Sequence, residues 1–185
     1  MERKVNWANR VTLVRIFLVP VFVILVAYYR PGLEILKVAA TIVFLTAILT
    51  DAIDGYLAKT KEQRTELGTF LDPAADKLLL ISAFICLSLN HRFLIKLPLW
   101  VSIIVIGRDV VIVMGLAIVY MVTGSIKVEP DLLGKTTTFF QMMTVSAVLL
   151  NFNFSFLIWN ITAFLTVASG INYITRENKR LAQRA

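Results

Sequence analysis

The sequence holds one cysteine, Cys86, in 185 residues. A single thiol excludes an internal disulfide framework, and no Cys/His spacing of the zinc type is present. Cys86 sits in an apolar run and reads as a lipid-facing or core residue. The single histidine, His91, lies in a polar break, where a catalytic role is not expected. Charge is scarce as well. Charged residues make up 17% of the chain and hydrophobic residues 58%, an apolar share well above that of an ordinary soluble domain. No segment alternates apolar and polar residues with period two, which excludes the usual transmembrane β-barrel pattern. There is no repeat of fixed period and no low-complexity tract. The first apolar run is too long for a removed signal peptide and lacks a small-residue cleavage site.

What the sequence has instead is long apolar runs. A spanning helix needs roughly 20 apolar residues, and six stretches qualify, at about 12–29, 35–55, 72–90, 97–122, 136–151 and 154–174. They are separated by "YRPGLE", a short basic loop, "LNHRFLIKLP", "TGSIKVEPDLLGK" and "LNFNFS", breaks that carry turn-forming or polar residues. The Asn153 tripeptide "NFS" matches a glycosylation acceptor but reads as loop. The expected fold is an all-α integral membrane protein, residues 1–185 forming a single domain of six transmembrane helices. "MERKVNWANR" adds a short N-terminal interfacial helix with Trp7 at headgroup depth.

The net charge is +7. Lysine and arginine fall unevenly once the spans are threaded. Arg3, Lys4, Arg10, Lys59, Lys61, Arg64, Lys135, Lys179 and Arg180 are among those on one side; Arg30, Lys37, Arg92 and Lys96 are on the other. This asymmetry places both termini in the cytoplasm and makes the excess charge a collar facing anionic headgroups. The basic residues are scattered over short loops, so nucleic acid is not an expected partner.

Within this apolar chain, "TDAIDGYLAK" and "GTFLDPAADK" place four carboxylates at the edges of two spans. Asp51 and Asp54 are three apart, and Asp72 and Asp76 four apart, so each pair shares a helix face. Both pairs fall on the cytoplasmic side, on consecutive helices joined by a short loop. Four carboxylates at close range stay ionised only with a compensating cation. An all-oxygen donor set selects magnesium, manganese or calcium over zinc. The plainer alternative is helix-end carboxylates, with Asp72 as an N-cap before Pro73. It does not cover Asp51 and Asp54, which sit near a helix C-terminus where the dipole disfavours anions. Gly55, Ala58 and Gly68 leave room near these carboxylates, although small residues also serve helix packing in membranes. In "IIVIGRDVVIV", Arg108 is a charge inside a span and is expected to face the bundle interior as a functional group, or to pair structurally with Asp109. Lys135 opens the fifth span, as a functional cation or as a snorkelling lysine.

The run Asp51-x-x-Asp54-Gly55-x-x-Ala58-Lys59, followed by Gly68, Asp72 and Asp76, resembles the signature of the CDP-alcohol phosphatidyltransferases at every spacing. The family usually has arginine where this chain has Lys59. "NWANRVTLVRIFLVP", ending its polar part at Arg15, is similar to the family's N-terminal segment, with Ala8 in place of the usual proline. "GRDVVIVMG" and "GKTTTFFQM" resemble later elements around Arg108 and Lys135. The resemblance implies six transmembrane helices, usually in a homodimer, with a polar cavity open to the cytoplasm, and a bacterial inner-membrane location. It implies that Asp51, Asp54, Asp72 and Asp76 hold one or two Mg2+ or Mn2+ ions, with Asp76 also the general base. Gly55, Ala58, Lys59 and Gly68 would bind CDP-diacylglycerol. The expected acceptor is glycerol 3-phosphate, with Arg108 and Lys135 binding its phosphate and CMP released. The alternative acceptor is phosphatidylglycerol, as in the cardiolipin-synthase branch. An ion- or proton-conducting membrane protein and an inert structural protein are readings of another class. The first would not require Gly55, Ala58 and Gly68 at these spacings, nor paired acids at one membrane face, and the second predicts no metal binding.

Overall fold

In the computed structural model, residues 7–60, 66–123 and 131–182 are described, with side chains described for 14–50, 77–115, 117, 119, 121 and 131–176. Each apolar run becomes a helix, since runs of this length satisfy their backbone polar groups internally only as helices. The helices are α1 (Trp7–Tyr28), α2 (Glu34–Thr60), α3 (Glu66–Leu89), α4 (Leu99–Thr123), α5 (Leu132–Leu149) and α6 (Ser155–Ala182). No strand occurs among the described residues. The expected separate interfacial helix is not seen at Trp7–Arg10: these residues are the first turn of α1, and residues 1–6 lie outside the described set. Further boundaries differ from expectation: α5 starts at Leu132 and α6 runs on to Ala182. α2 continues to Thr60 and α3 starts at Glu66, because the polar stretches flanking the apolar runs are themselves good helix formers and hydropathy alone does not mark their ends.

The connections carry identifiable stop signals. Gly32, at φ +96°, makes the turn between α1 and α2, a conformation that other residues rarely adopt. At the other hairpin, Asn151 has φ +53°. Its N–H donates to Val148 O at 3.1 Å and the Phe152 N–H donates to Ala147 O at 2.9 Å. This pair of bonds closes α5 as a Schellman motif with asparagine in the left-handed position. α5 begins with Asp131 as N-cap, its side chain accepting from the Leu133 N–H at 3.3 Å. Asn90, just past α3, donates its amide to Val26 O at 2.6 Å, a carbonyl in the last turn of α1 that also accepts from the Tyr29 N–H at 3.3 Å, and so ties the two helix ends together.

α1 packs against α2 and α3, α4 against α3 and α6, and α5 against α2, α3 and α6. α1 and α5 are therefore shared neighbours of α2 and α3. The apolar core joins Phe22 and Val26 of α1, Ala40, Phe44 and Ala47 of α2, Leu80 and Phe84 of α3, Val101 and Val105 of α4, and Val145 and Val148 of α5. Phe22 and Phe44 meet with ring centroids 5.6 Å apart.

The distribution of polarity runs opposite to that of a water-soluble bundle. Phe17, Ile35, Phe164 and Met121 are 70–76% exposed. Arg15, Asp109, Thr137, Gln141, Thr144, Thr162, Thr166 and Ser169 are buried. α5 and α6 are joined by hydroxyls: Thr144 and Thr162 share a 2.8 Å hydrogen bond, Thr162 donates to Phe140 O at 3.0 Å and Thr137 to Leu165 O at 3.2 Å. α3 and α4 are joined in the same way by Ser88 and Ser102. Small hydroxyl residues allow helices to approach closely and bond across the interface. Among the described residues, Ser155–Arg176 is a helical stretch long and apolar enough to cross a bilayer, and Val14–Tyr28 and Lys77–Leu89 are shorter apolar helices.

Candidate active site

Continuous helix through both aspartate segments fixes how the motif positions are arranged. On α2, positions 51, 54, 55 and 58 follow i, i+3, i+4, i+7 and form one stripe. On α3, positions 68, 72 and 76 follow i, i+4, i+8 and form another. The motif is thus two helix stripes, one with Asp51, Asp54, Gly55 and Ala58, the other with Gly68, Asp72 and Asp76. The side chains of these residues and of Lys59 lie outside the described set, as do Lys61 and Arg64 altogether. Asp72 is not an N-cap, since α3 starts at Glu66 and runs on through Pro73. The dipole argument for Asp51 and Asp54 also weakens, since α2 extends beyond them to Thr60 and the dipole acts mainly within the last turn. Among the described residues, no group of three or more His, Cys, Asp and Glu side chains is assembled that could hold a metal. The four aspartates supply the donor set that would fit one: carboxylate oxygens only, suited to a hard divalent cation.

Immediately beyond Asp76 the described side chains form an ionic cluster in which Arg108 and Asp109 are buried and Lys77 is partly exposed. The Lys77 ammonium donates to both oxygens of Asp109, at 2.6 and 2.7 Å. Arg108 donates through Nη1 to Asp109 Oδ1 at 2.9 Å and through Nη2 to Ser169 Oγ at 2.8 Å. The Arg108 and Asp109 side chains are only 10% and 8% exposed. The pairing of Arg108 with Asp109 is therefore real. Among the described side chains the cluster holds Lys77, Arg108 and Asp109, and the buried Arg108 Nε has no hydrogen-bond partner there. A carboxylate shared between two cations keeps them in place without cancelling their attraction for an anion.

Two glycines shape the space around Arg108. A Cβ on Gly134 would lie 3.3 Å from Arg108 Nη2, and one on Gly170 would lie 3.6 Å from its Cγ. Gly134 thus brings the first turn of α5 against the guanidinium. Lys135, the next residue, is exposed on that turn. Asn172 of α6 donates to Asp131 Oδ2 at 3.1 Å, tying α6 to the start of α5. The structure therefore brings Arg108 and the Lys135 turn together, although they are 27 positions apart in sequence. Lys77, Asp109 and Ser169 were not singled out as functional from the sequence. The available signal was Asp109 itself, a carboxylate inside an apolar run.

Among the described residues these features define a bundle of six helices with buried polar side chains between them, an aspartate motif on two helices and an ionic cluster next to it in sequence. The CDP-alcohol phosphatidyltransferase model matches residues 5–169, and the chain belongs to this family. It is 36% identical over 188 residues to the CDP-diacylglycerol–glycerol-3-phosphate 3-phosphatidyltransferase of Bacillus subtilis, an alignment covering 92% of this chain and 94% of the relative. It is 33% identical over 177 residues to the protein of the same name from Haemophilus influenzae, with 92% of each chain covered.

Proposed function

We propose that this protein is an integral membrane enzyme that transfers the phosphatidyl group of CDP-diacylglycerol to glycerol 3-phosphate, releasing CMP and forming phosphatidylglycerophosphate. The observation that carries the proposal is the end-to-end similarity to relatives bearing that activity in their names. The apolar exterior, with hydroxyl and charged side chains buried between helices, supports six bilayer-spanning helices in one domain over residues 1–185. The lysine and arginine asymmetry supports an active site facing the cytoplasm of a bacterial inner membrane, and the family resemblance supports a homodimer.

In this reading Asp51, Asp54, Asp72 and Asp76 hold Mg2+ or Mn2+. The bound cation would offset the charge of the pyrophosphate and of the departing CMP. Gly55, Ala58 and Gly68 admit the nucleotide of the CDP-lipid to the backbone, and Lys59 lies by its phosphates. A lysine there keeps the charge of the family's usual arginine but not its bidentate geometry. The acceptor hydroxyl attacks the phosphatidyl phosphorus while Asp76 takes its proton. The bond to the bridging oxygen breaks and CMP leaves with its electron pair. Arg108, with Nε without a partner among the described residues, and Lys135 on the adjoining turn hold the acceptor phosphate.

Purified protein with labelled CDP-diacylglycerol and a panel of acceptors, with and without Mg2+, tests the proposal. Metal-dependent CMP release with glycerol 3-phosphate is expected. Conversion of phosphatidylglycerol in its place would make the enzyme a cardiolipin synthase. No CMP release with any acceptor would leave the transport or structural readings.

A further inference from the structure

The cluster around Asp109 does more than neutralise charge. One carboxylate holds a lysine from α3 and an arginine from α4, and that arginine reaches Ser169 on α6. Lys77 follows Asp76 directly. Consecutive helix positions are about 100° apart around the axis, so pinning position 77 toward α4 also fixes the direction in which the stripe at positions 68, 72 and 76 is presented. We infer that Asp109 is a positioning residue for the transferase reaction: by clamping Lys77 it sets the rotation of α3, and thereby the alignment of the Asp72 and Asp76 positions against the acceptor-binding elements on α4, α5 and α6.

Three observations make a purely stabilising role an incomplete account. Both Asp109 oxygens are engaged by Lys77, which gives the contact a direction as well as a charge. The clamp lies one residue from the motif and not at a remote point on α3. Its other arm is Arg108, so the same carboxylate touches the helix of the donor site and the residue that faces the acceptor.

The inference rests on the function proposed above, and the test separates the two. Asp109→Asn, Lys77→Gln and their double variant are purified in detergent. Turnover, the KM for each substrate, thermal unfolding and Mn2+ affinity without substrate (by electron paramagnetic resonance) are then measured. Asp109→Asn is expected to lower kcat on the order of 10²-fold, the scale of a 1 Å misplacement of reacting groups, and to weaken Mn2+ binding. Lys77→Gln should act in the same direction. The loss in the double variant should fall short of the sum of the two single losses, because the two residues share the 2.6–2.7 Å contact. Asp109→Glu retains every charge and should fold even if Asp109→Asn does not; it too should weaken Mn2+ binding and lower kcat, by roughly tenfold or more. Wild-type kcat and Mn2+ affinity in a folded Asp109→Asn or Asp109→Glu variant would overturn the inference, as would additive losses in the double variant. A wild-type protein that binds Mn2+ but releases no CMP refutes the proposed function alone, and the Mn2+ readout still decides the role of Asp109.

Discussion

Removing the Arg108 side chain should separate acceptor binding from the rest of the reaction. Arg108→Ala deletes the 2.9 Å bond to Asp109 and the 2.8 Å bond to Ser169. Two effects compete. Loss of a hydrogen bond to a charged group costs about 1.5–3 kcal/mol of fold stability. Asp109 nevertheless keeps both bonds to Lys77, at 2.6 and 2.7 Å, so no buried carboxylate is orphaned and the bundle should survive. The larger loss falls on the substrate. An acceptor phosphate left without its buried partner loses about 3–5 kcal/mol, equivalent to roughly a 10²- to 10⁴-fold rise in the glycerol 3-phosphate KM. Arg108→Lys should lie between, since one ammonium reaches either Asp109 or Ser169 but not both. The assay is CMP release in mixed micelles, varying each substrate at saturating levels of the other. The KM for CDP-diacylglycerol and the Mn2+ affinity should stay near wild type, because α3 remains clamped. A glycerol 3-phosphate KM within about threefold of wild type, well under the loss expected for a buried ion partner, would refute the reasoning. A rise confined to the CDP-lipid would mean the two pockets are reversed.

Three further outcomes are expected. Asp51→Asn, Asp54→Asn, Asp72→Asn and Asp76→Asn should each lose most activity while still inserting into membranes; near-normal turnover at low Mg2+ in any one of them removes that residue from the metal set. In a Cys86→Ala background, cysteines placed at positions 61 and 91 should label from opposite sides of the membrane, and labelling from one side defeats the six-span topology. Gly115→Ala would set a Cβ 2.7 Å from Tyr173 Cε1 and 2.9 Å from its hydroxyl, displacing the ring and its 3.2 Å bond to Ile112 O; thermal unfolding should show a loss of about 1–3 kcal/mol, and an unchanged melting temperature would show that Tyr173 moves aside freely.

The number and order of helices were legible in the sequence because each is an apolar run of a length that only a helix can satisfy in an apolar medium. The aspartate motif was legible too, since its residues are local: spacings of three and four become stripes as soon as the segment is helical. The helix ends were less so. Asp72 looked like a cap because Asp-Pro is a common start signal, but the stretch before it, Glu66–Leu71, is helical as well.

What only the tertiary structure decided is which distant polar residues share a site. Nothing in sequence spacing links Lys77 to Asp109, Arg108 to Ser169, or Gly134 to Arg108; these pairs lie on different helices and meet only when α3, α4, α5 and α6 pack. Arg108 could be read in advance as a functional cation or as a structural partner of Asp109, and the fold shows that it takes the structural pair while keeping Nε unused. Periodicity along one helix fixes which residues face the same way. It does not fix what they face, because that depends on helix rotation and neighbour choice, which are set by packing between helices.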